Sequence, residues 1–291
     1  MKVTGFTIIR NAITYDYTVV EAIASILPVC DEFVVAVGKS EDGTLALIKS
    51  IDSPKIRIIE TIWDDTLRQG GQVLALETNK ALDAISADTD WCFYIQSDEC
   101  VHEKYLTLIR EAMQTYKDNK QVDGLLFNYT HFYANYHYVG NSRRWYRKEI
   151  RIIKNYKSIR SYKDAQGFRK TDNTKLNVKQ VPAEIYHYGW VKPPKAQQAK
   201  QKNFHKMWHD DRWMEKNIAE VEEFDYSEID SLEEFKGTHP LVMQNRVNAV
   251  NWNFKFDKAQ IRLKPKDKLL LWIEKVTGWK VGEYRNYNIV K

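Results

Sequence analysis

The chain has 291 residues, of which 43% are hydrophobic and 29% charged. That excludes a disordered chain and leaves room for one large α/β domain, or for a catalytic domain with a helical annex. The net charge of +5 suits phosphorylated ligands or an anionic membrane surface, and with no dense basic motif nucleic acid is not an expected partner.

Met1 to Arg10 holds a short apolar run cut off by a charge, which is not the pattern of a signal peptide. No stretch approaches the roughly 20 apolar residues of a membrane span. The three cysteines, Cys30, Cys92 and Cys100, have no metal-type spacing, so they read as free core thiols of a reducing compartment. A cytoplasmic protein is expected.

The first half alternates strand and helix. Val3 to Ile9 reads as a strand and Tyr17 to Leu27 as an amphipathic helix closed by Pro28. Glu32 to Val37 is a second strand, followed by a turn at Gly38 to Gly43 and a helix from Thr44 to Ile51. Ile56 to Glu60 is a third strand, Gln72 to Ala87 a long helix, and Trp91 to Ile95 a buried fourth strand. This alternation predicts an α/β fold with a mostly parallel sheet and flanking helices. Ligands of such sheets bind at the carboxyl ends of the strands, which singles out Arg10-Asn11, Gly38 to Thr44 and Gln96 to Glu99.

After Asp123 the pattern changes. Leu125 to Tyr138, Trp145 to Ile153 and Glu184 to Val191 alternate as strands, Lys192 to Glu223 is helical, and the tail from about Asn251 is basic and aromatic. The expected organisation is one α/β domain over residues 1–200, with a helical basic extension over 201–291 packed on it.

Gln96-Ser97-Asp98-Glu99 ends a buried strand in two adjacent carboxylates. Carboxylates there can hold Mg²⁺ or Mn²⁺ against the two phosphates of a nucleotide diphosphate. Equally, Asp98 can cap a helix beginning near Glu103. Glu41-Asp42-Gly43-Thr44 is a turn and helix start whose backbone N–H groups also suit an anion. His187, on the aromatic strand Tyr186 to Trp190, is either a hydrogen-bonded core residue or a neutral imidazole completing a Mn²⁺ site. In Asn128 to Tyr138, half the rings should pack and the others line the acceptor side. Arg143, Arg144 and Arg147 either neutralise phosphate or make ordinary ion pairs. The lysine-rich stretch Lys264 to Lys280, with Trp272 and Trp279, is either a solvated amphipathic helix or a peripheral contact with an anionic inner membrane.

Taken in order, these motifs resemble the family 2 glycosyltransferases of the GT-A fold over roughly the first two hundred residues. The polar turn Arg10-Asn11-Ala12 follows the first strand. Gly38-Lys39-Ser40-Glu41-Asp42-Gly43-Thr44 matches the family's Asp-Gly-Ser-x-Asp-Gly-Thr loop, and Asn79 matches the Asn of the approaching helix. Gln96-Ser97-Asp98-Glu99 matches Asp-x-Asp-Glu, and His187 stands where the fold often supplies a late His. Gly38 replaces the acid that commonly reads a uracil ring, and Gln96 replaces the first acid of the metal motif.

The resemblance implies a bacterial surface-polysaccharide type of enzyme, inverting and metal-assisted. It would move a sugar from a nucleotide-diphosphate donor to a saccharide or lipid-linked acceptor. Arg10, Asn11, Asp42, Asn79 and Ser97 would then face the donor, and Asp98 and His187 would hold Mn²⁺ or Mg²⁺. The family places its base after the strand that follows the metal motif. Asp164, in a Gly-containing loop, is the expected base, with Glu149 as runner-up on a strand position read as exposed. Two readings of other classes stay open. One is a non-catalytic carbohydrate- or nucleotide-binding protein, favoured by Gln96; the other is a sugar-nucleotide nucleotidyltransferase, disfavoured by the glycine-free Arg10 to Thr14.

Overall fold

The structure, a computed structural model, describes residues 1–218, 220–257, 261 and 263–290. Its elements in chain order begin with β1 (Val3–Ile9), α1 (Val19–Ile26), β2 (Glu32–Gly38), α2 (Thr44–Lys49), β3 (Ile56–Thr61) and α3 (Gln72–Asp83). Next come β4 (Trp91–Tyr94), β5 (Glu99–Val101), α4 (Leu106–Tyr116), β6 (Gly124–Tyr133), β7 (Asn135–Gly140), β8 (Lys148–Lys154), β9 (Ile159–Tyr162) and β10 (Gly167–Lys170). The last part contains β11 (Leu176–Trp190), α5 (Pro194–Lys206), α6 (Asp211–Asn217), β12 (Leu232–Glu234), α7 (Gln244–Asn248), α8 (Pro265–Thr277) and β13 (Tyr287–Ile289).

The expected α/β class is what forms. One large sheet runs in the order β12-β7-β6-β8-β4-β1-β2-β3, and β11 lies against β6 while also pairing with β5 and β13. The leaf β3-β2-β1-β4 is parallel throughout, β8 enters antiparallel between β4 and β6, and β11 runs parallel to β6 and β13. The inner strands β1, β2 and β4 of this leaf are almost wholly buried because both faces are covered, whereas the edge strand β3 carries Arg57 and Glu60 and is half-buried. Alternate residues of β1 show it: Val3 and Ile9 join the core under α1 and α4, whereas Phe6 and Ile8 join the core under α3 and the β9–β10 hairpin.

Three expectations are corrected. Leu125 to Tyr138 is not one strand, because the chain reverses at Ala134 (φ 63°) into the hairpin β6–β7. An alanine in the left-handed region costs roughly 1 kcal/mol, so nothing local announces the turn. β11 begins at Leu176, eight residues before the expected start, and passes Pro182 through a register shift between Gln180 and Glu184. Proline lacks the N–H a ladder needs but fits a bulge. Glu149 is buried rather than exposed, since β8 is central in the sheet.

Residues beyond 200 are not purely helical. They add β12 to the edge at β7 and β13 to the edge at β11. All three cysteines are free and buried, as expected. Among the described residues no helix is long and apolar enough to cross a membrane.

Candidate functional site

A cavity of about 700 Å³ opens at the carboxyl ends of β1 and β4, where the sheet geometry places ligands. Arg10 enters it from β1, Ser97 and Asp98 from the turn after β4, Asp164 from the β9–β10 turn, His187 from β11 and Lys200 from α5. Trp63, Tyr146, Trp190 and Phe204 add ring faces to the wall. The size and the mixture of rings with a few convergent charges are those of a small-molecule site.

Sheet register brings Asp98 and His187 together. β5 pairs antiparallel with β11 so that Glu99 lies opposite His187, and the Tyr188 N–H donates to the Asp98 carbonyl at 2.7 Å. Gly189 makes the approach possible, because a Cβ there would lie 2.7 Å from both Asp98 Oδ2 and His187 Nε2. Asp98 is no helix cap; that place is taken by His102, whose ring accepts from the Lys104 N–H.

The protonation of His187 follows from its neighbours. His131 Nε2 lies 2.7 Å from the Tyr146 carbonyl, which only accepts, so Nε2 carries the proton. Burial lowers the His131 pKa well below the ordinary value, leaving the ring neutral and its Nδ1 an acceptor. His187 Nδ1, 3.1 Å from His131 Nδ1, must therefore donate. Burial also lowers the His187 pKa, against the pull of Asp98 and Glu99, so His187 is neutral with a lone pair on Nε2. That nitrogen sits 3.8 Å from Asp98 Oδ1.

Asp98 Oδ2 is engaged by Lys200 Nζ at 2.9 Å, and Lys200 also donates to the Gly189 carbonyl at 2.8 Å. Burial pushes the Asp98 carboxyl up, but the charge and hydrogen bond of Lys200, with Lys192 behind it, outweigh it and hold the group well below the usual carboxylate range. No donor among the described residues reaches Asp98 Oδ1 or His187 Nε2. One anionic oxygen and one imidazole lone pair, 3.8 Å apart, can share a divalent cation through bonds of about 2 Å, with phosphate oxygens and water completing its shell. Among the described residues no cluster of three or more His, Cys, Asp or Glu side chains forms, so these two would supply only part of a shell for Mn²⁺ or Mg²⁺. The side-chain N–H of Gln96 donates to the Ala165 carbonyl.

Asp164 occupies the tip of the β9–β10 turn. Its neighbours Lys163 and Ala165 both have left-handed backbones (φ 55° and 61°), a cost that persists where surrounding structure enforces it and that clusters at working sites. Burial raises the Asp164 pKa above the ordinary carboxylate value, partly offset by backbone N–H groups. The turn is tethered by Arg151, which donates to the Gln166 carbonyl at 2.8 Å and makes a forked pair with Glu99 at 2.8 and 2.7 Å. Glu99 also accepts from Tyr129 and from the Gln96 N–H. The second acid of the motif is therefore a buried structural anchor.

Glu149 lies behind this turn and does not line the cavity. Gln166 donates to its Oε1 at 2.9 Å. Burial pushes its carboxyl up to about 8, with Arg151 opposing and Glu99 and Asp164 adding to the rise. A carboxyl raised on folding holds its proton in the native chain while the unfolded chain ionises. The stability this provides is complete below about pH 4.5 and lost as pH rises through about 8. Glu149→Gln removes that dependence. The melting temperature of the variant relative to the parent is expected to rise steadily between about pH 5 and pH 8. A difference independent of pH would show that Glu149 is not protonated in the fold.

Three residues expected at the donor site, all half-exposed, do not line the cavity and make hydrogen bonds between loops. Asn11 accepts from the Glu41 N–H, and Asp42 accepts from the N–H groups of Ile13, Thr14 and Thr44, locking the loop after β1 to the turn after β2. Asn79 accepts from the Ser161 N–H, joining α3 to β9. Arg10 does line the cavity, in a forked pair with Asp65. Gly38 stays bare because the Trp63 indole packs on it, 2.4 Å from where a Cβ would be.

The rings of Asn128 to Tyr138 do not line the cavity. Phe132, Tyr133 and Tyr136 are buried in two aromatic clusters with residues from the C-terminal segment. Arg143 and Arg147 pair with Glu274, and Arg144 with Asp230. Lys200, Arg151, Trp63 and Tyr146 were missed by sequence reasoning. Lys200 is one lysine among several in a polar helix, with no local feature to mark it.

Neither a family model nor a curated protein matches the sequence. Among solved structures it is similar to S. aureus TarS residues 1–349 in complex with UDP, at 15% identity and a TM-score of 0.40, over 70% of this chain and 64% of that one. In the longer TarS structure the match covers 39% of that chain, at 13% identity and a TM-score of 0.42. It is also similar to glucosyl-3-phosphoglycerate synthase from Mycobacterium tuberculosis in complex with Mn²⁺, UDP and phosphoglyceric acid, at 20% identity and a TM-score of 0.29, over 45% of this chain and 43% of that one. With its parallel leaf β3-β2-β1-β4 and the antiparallel β8 beside it, the chain has a mixed α/β fold.

Proposed function

We propose that this chain transfers a sugar from a nucleoside-diphosphate donor to a saccharide or lipid-linked acceptor, with inversion at the anomeric carbon. The observation that supports it best is the convergence, in one cavity at the carboxyl ends of the strands, of a wall with cation ligands (Asp98, His187) beside Lys200 and of a separate half-buried acid, Asp164.

In this reading Asp98 Oδ1 and His187 Nε2 hold a divalent cation, which would neutralise the diphosphate as it departs. Gly189 and the His131–His187 contact keep those two ligands aimed. Lys200 keeps Asp98 ionised and adds positive charge on the same wall. Asp164 takes the proton of the acceptor hydroxyl as its oxygen bonds to the anomeric carbon; the bond to the diphosphate breaks with its electrons leaving on the phosphate oxygen. Trp63, on the bare Gly38 where an acid would read uracil, offers a ring face to the base.

The test is binding of nucleoside diphosphates, measured by calorimetry with Mn²⁺ and with chelator. Binding should require Mn²⁺, and Asp98→Asn or His187→Ala should raise Kd at least about tenfold, as losing a charged or oriented ligand does. Failure of every nucleoside diphosphate to bind with Mn²⁺ would sink the proposal. Binding with no transfer to any acceptor would favour a non-catalytic role, and consumption of a nucleoside triphosphate with a sugar phosphate would favour nucleotidyl transfer.

A further inference from the structure

An amphipathic helix normally turns its apolar stripe to the core and its charges to water. Helix α8 instead carries apolar side chains on both sides: Leu270, Leu271 and Ile273 are half-buried, and the residue buried deepest beside them is Glu274, paired with Arg147 at 2.8 Å and Arg143 at 3.5 Å. The opposite side carries Leu269, Trp272 and Val276, spaced three and four apart and so on one face. Trp279 follows just beyond the left-handed cap Gly278. These four side chains are between 57% and 65% exposed.

Among the described residues of the helix and its N-cap, the exposed charges are all lysines. Lys264, Lys266, Lys268 and Lys275 are all exposed, whereas the two acids of the helix, Asp267 and Glu274, are half-buried and buried. An apolar ridge with two indoles, flanked by lysines and free of exposed carboxylates, matches an anionic bilayer on both counts. Indole rings settle at the headgroup level, and lysines meet the acidic headgroups.

We propose that α8 and Trp279 dock the protein on the surface of an anionic membrane, lying in its plane with Leu269, Trp272, Val276 and Trp279 immersed. The Glu274 ion pairs hold the helix in that orientation before any lipid is met. Arg147 immediately follows Tyr146 of the cavity wall, so the docked face is tied to the site through adjacent residues. This inference does not depend on the chemistry of the cavity.

Co-sedimentation of the full chain with phosphatidylcholine vesicles, with and without phosphatidylglycerol, tests it. The protein should pellet with the phosphatidylglycerol vesicles and be released by salt, as screened charges require. Trp272→Ser/Trp279→Ser should lower partitioning at least about tenfold, since each ring contributes buried apolar area. Lys266→Glu/Lys268→Glu should abolish the preference for phosphatidylglycerol. All four positions are exposed, and an unchanged circular dichroism spectrum and melting temperature would show that the variants fold. No binding of the parent chain to phosphatidylglycerol vesicles would overturn the proposal. So would binding unaffected by the double tryptophan variant, or a parent dimer that this variant converts to monomer, which would assign the stripe to a second copy of the chain.

Discussion

Asp164→Asn is expected to lower turnover by about 10²- to 10⁴-fold while leaving the affinity for a nucleoside diphosphate nearly unchanged. Asparagine keeps the shape of the turn and can still accept from the backbone N–H groups that Asp164 engages. What it loses is the ability to take a proton. A sugar hydroxyl is far too weak an acid to ionise unaided at neutral pH, so the attacking oxygen needs a base within hydrogen-bond reach. Because burial raises the Asp164 pKa, the parent enzyme should gain activity with rising pH on the acid limb of its profile, and the variant should lose that limb. Donor binding is read on the Asp98 side of the cavity, so calorimetry and turnover separate the two effects. A variant with parental turnover would remove Asp164 from the mechanism. A variant that loses turnover and donor affinity together would make Asp164 a positioning residue.

Arg151→Leu should destabilise the fold by about 3–5 kcal/mol, because it leaves Glu99 as a buried charge without its cation. Both members of this pair have no exposed surface. Tyr129 and the Gln96 N–H would still bond Glu99, but neither neutralises it. A drop in melting temperature of about 10 °C is the corresponding readout for a chain of this size. The double variant Glu99→Met/Arg151→Met should regain part of the loss, since apolar side chains of similar volume often replace a buried pair at little cost. Its nucleotide binding should stay impaired. Glu99 is adjacent to Asp98, and Arg151 tethers the Gln166 carbonyl beside the Asp164 turn, so the pair bridges the turns that carry the two acids proposed to act in the cavity. A single variant as stable as the parent would contradict the buried network.

Much of this protein was legible in one dimension wherever a local signal and the tertiary outcome agree. The parallel leaf could be read because its strands are short runs rich in apolar and β-branched residues, punctuated by Pro28, Gly38 and Asp98, and both the run and the punctuation are short-range properties. The same rule located the ligand edge, and with it Arg10, Ser97 and Asp98. His187 and Asp164 were identified only as members of a motif order. The contact between His187 and Asp98 comes from the antiparallel register of β5 on β11 and from the absence of a Cβ at Gly189. Register is a long-range pairing, so no window of sequence contains it. The failures have the same origin. Asn11, Asp42 and Asn79 look like ligand residues because polar side chains suit either a ligand or a neighbouring loop, and only the fold brings the N–H groups of Glu41, Thr14 and Ser161 within their reach. Glu149 and Arg151 sit on a strand whose alternation suggests one wet face, yet the β9–β10 hairpin and the Glu99 turn cover it. In α8 composition showed an amphipathic helix, but which face turns outward was decided by Arg143 and Arg147, more than a hundred residues away, closing on Glu274.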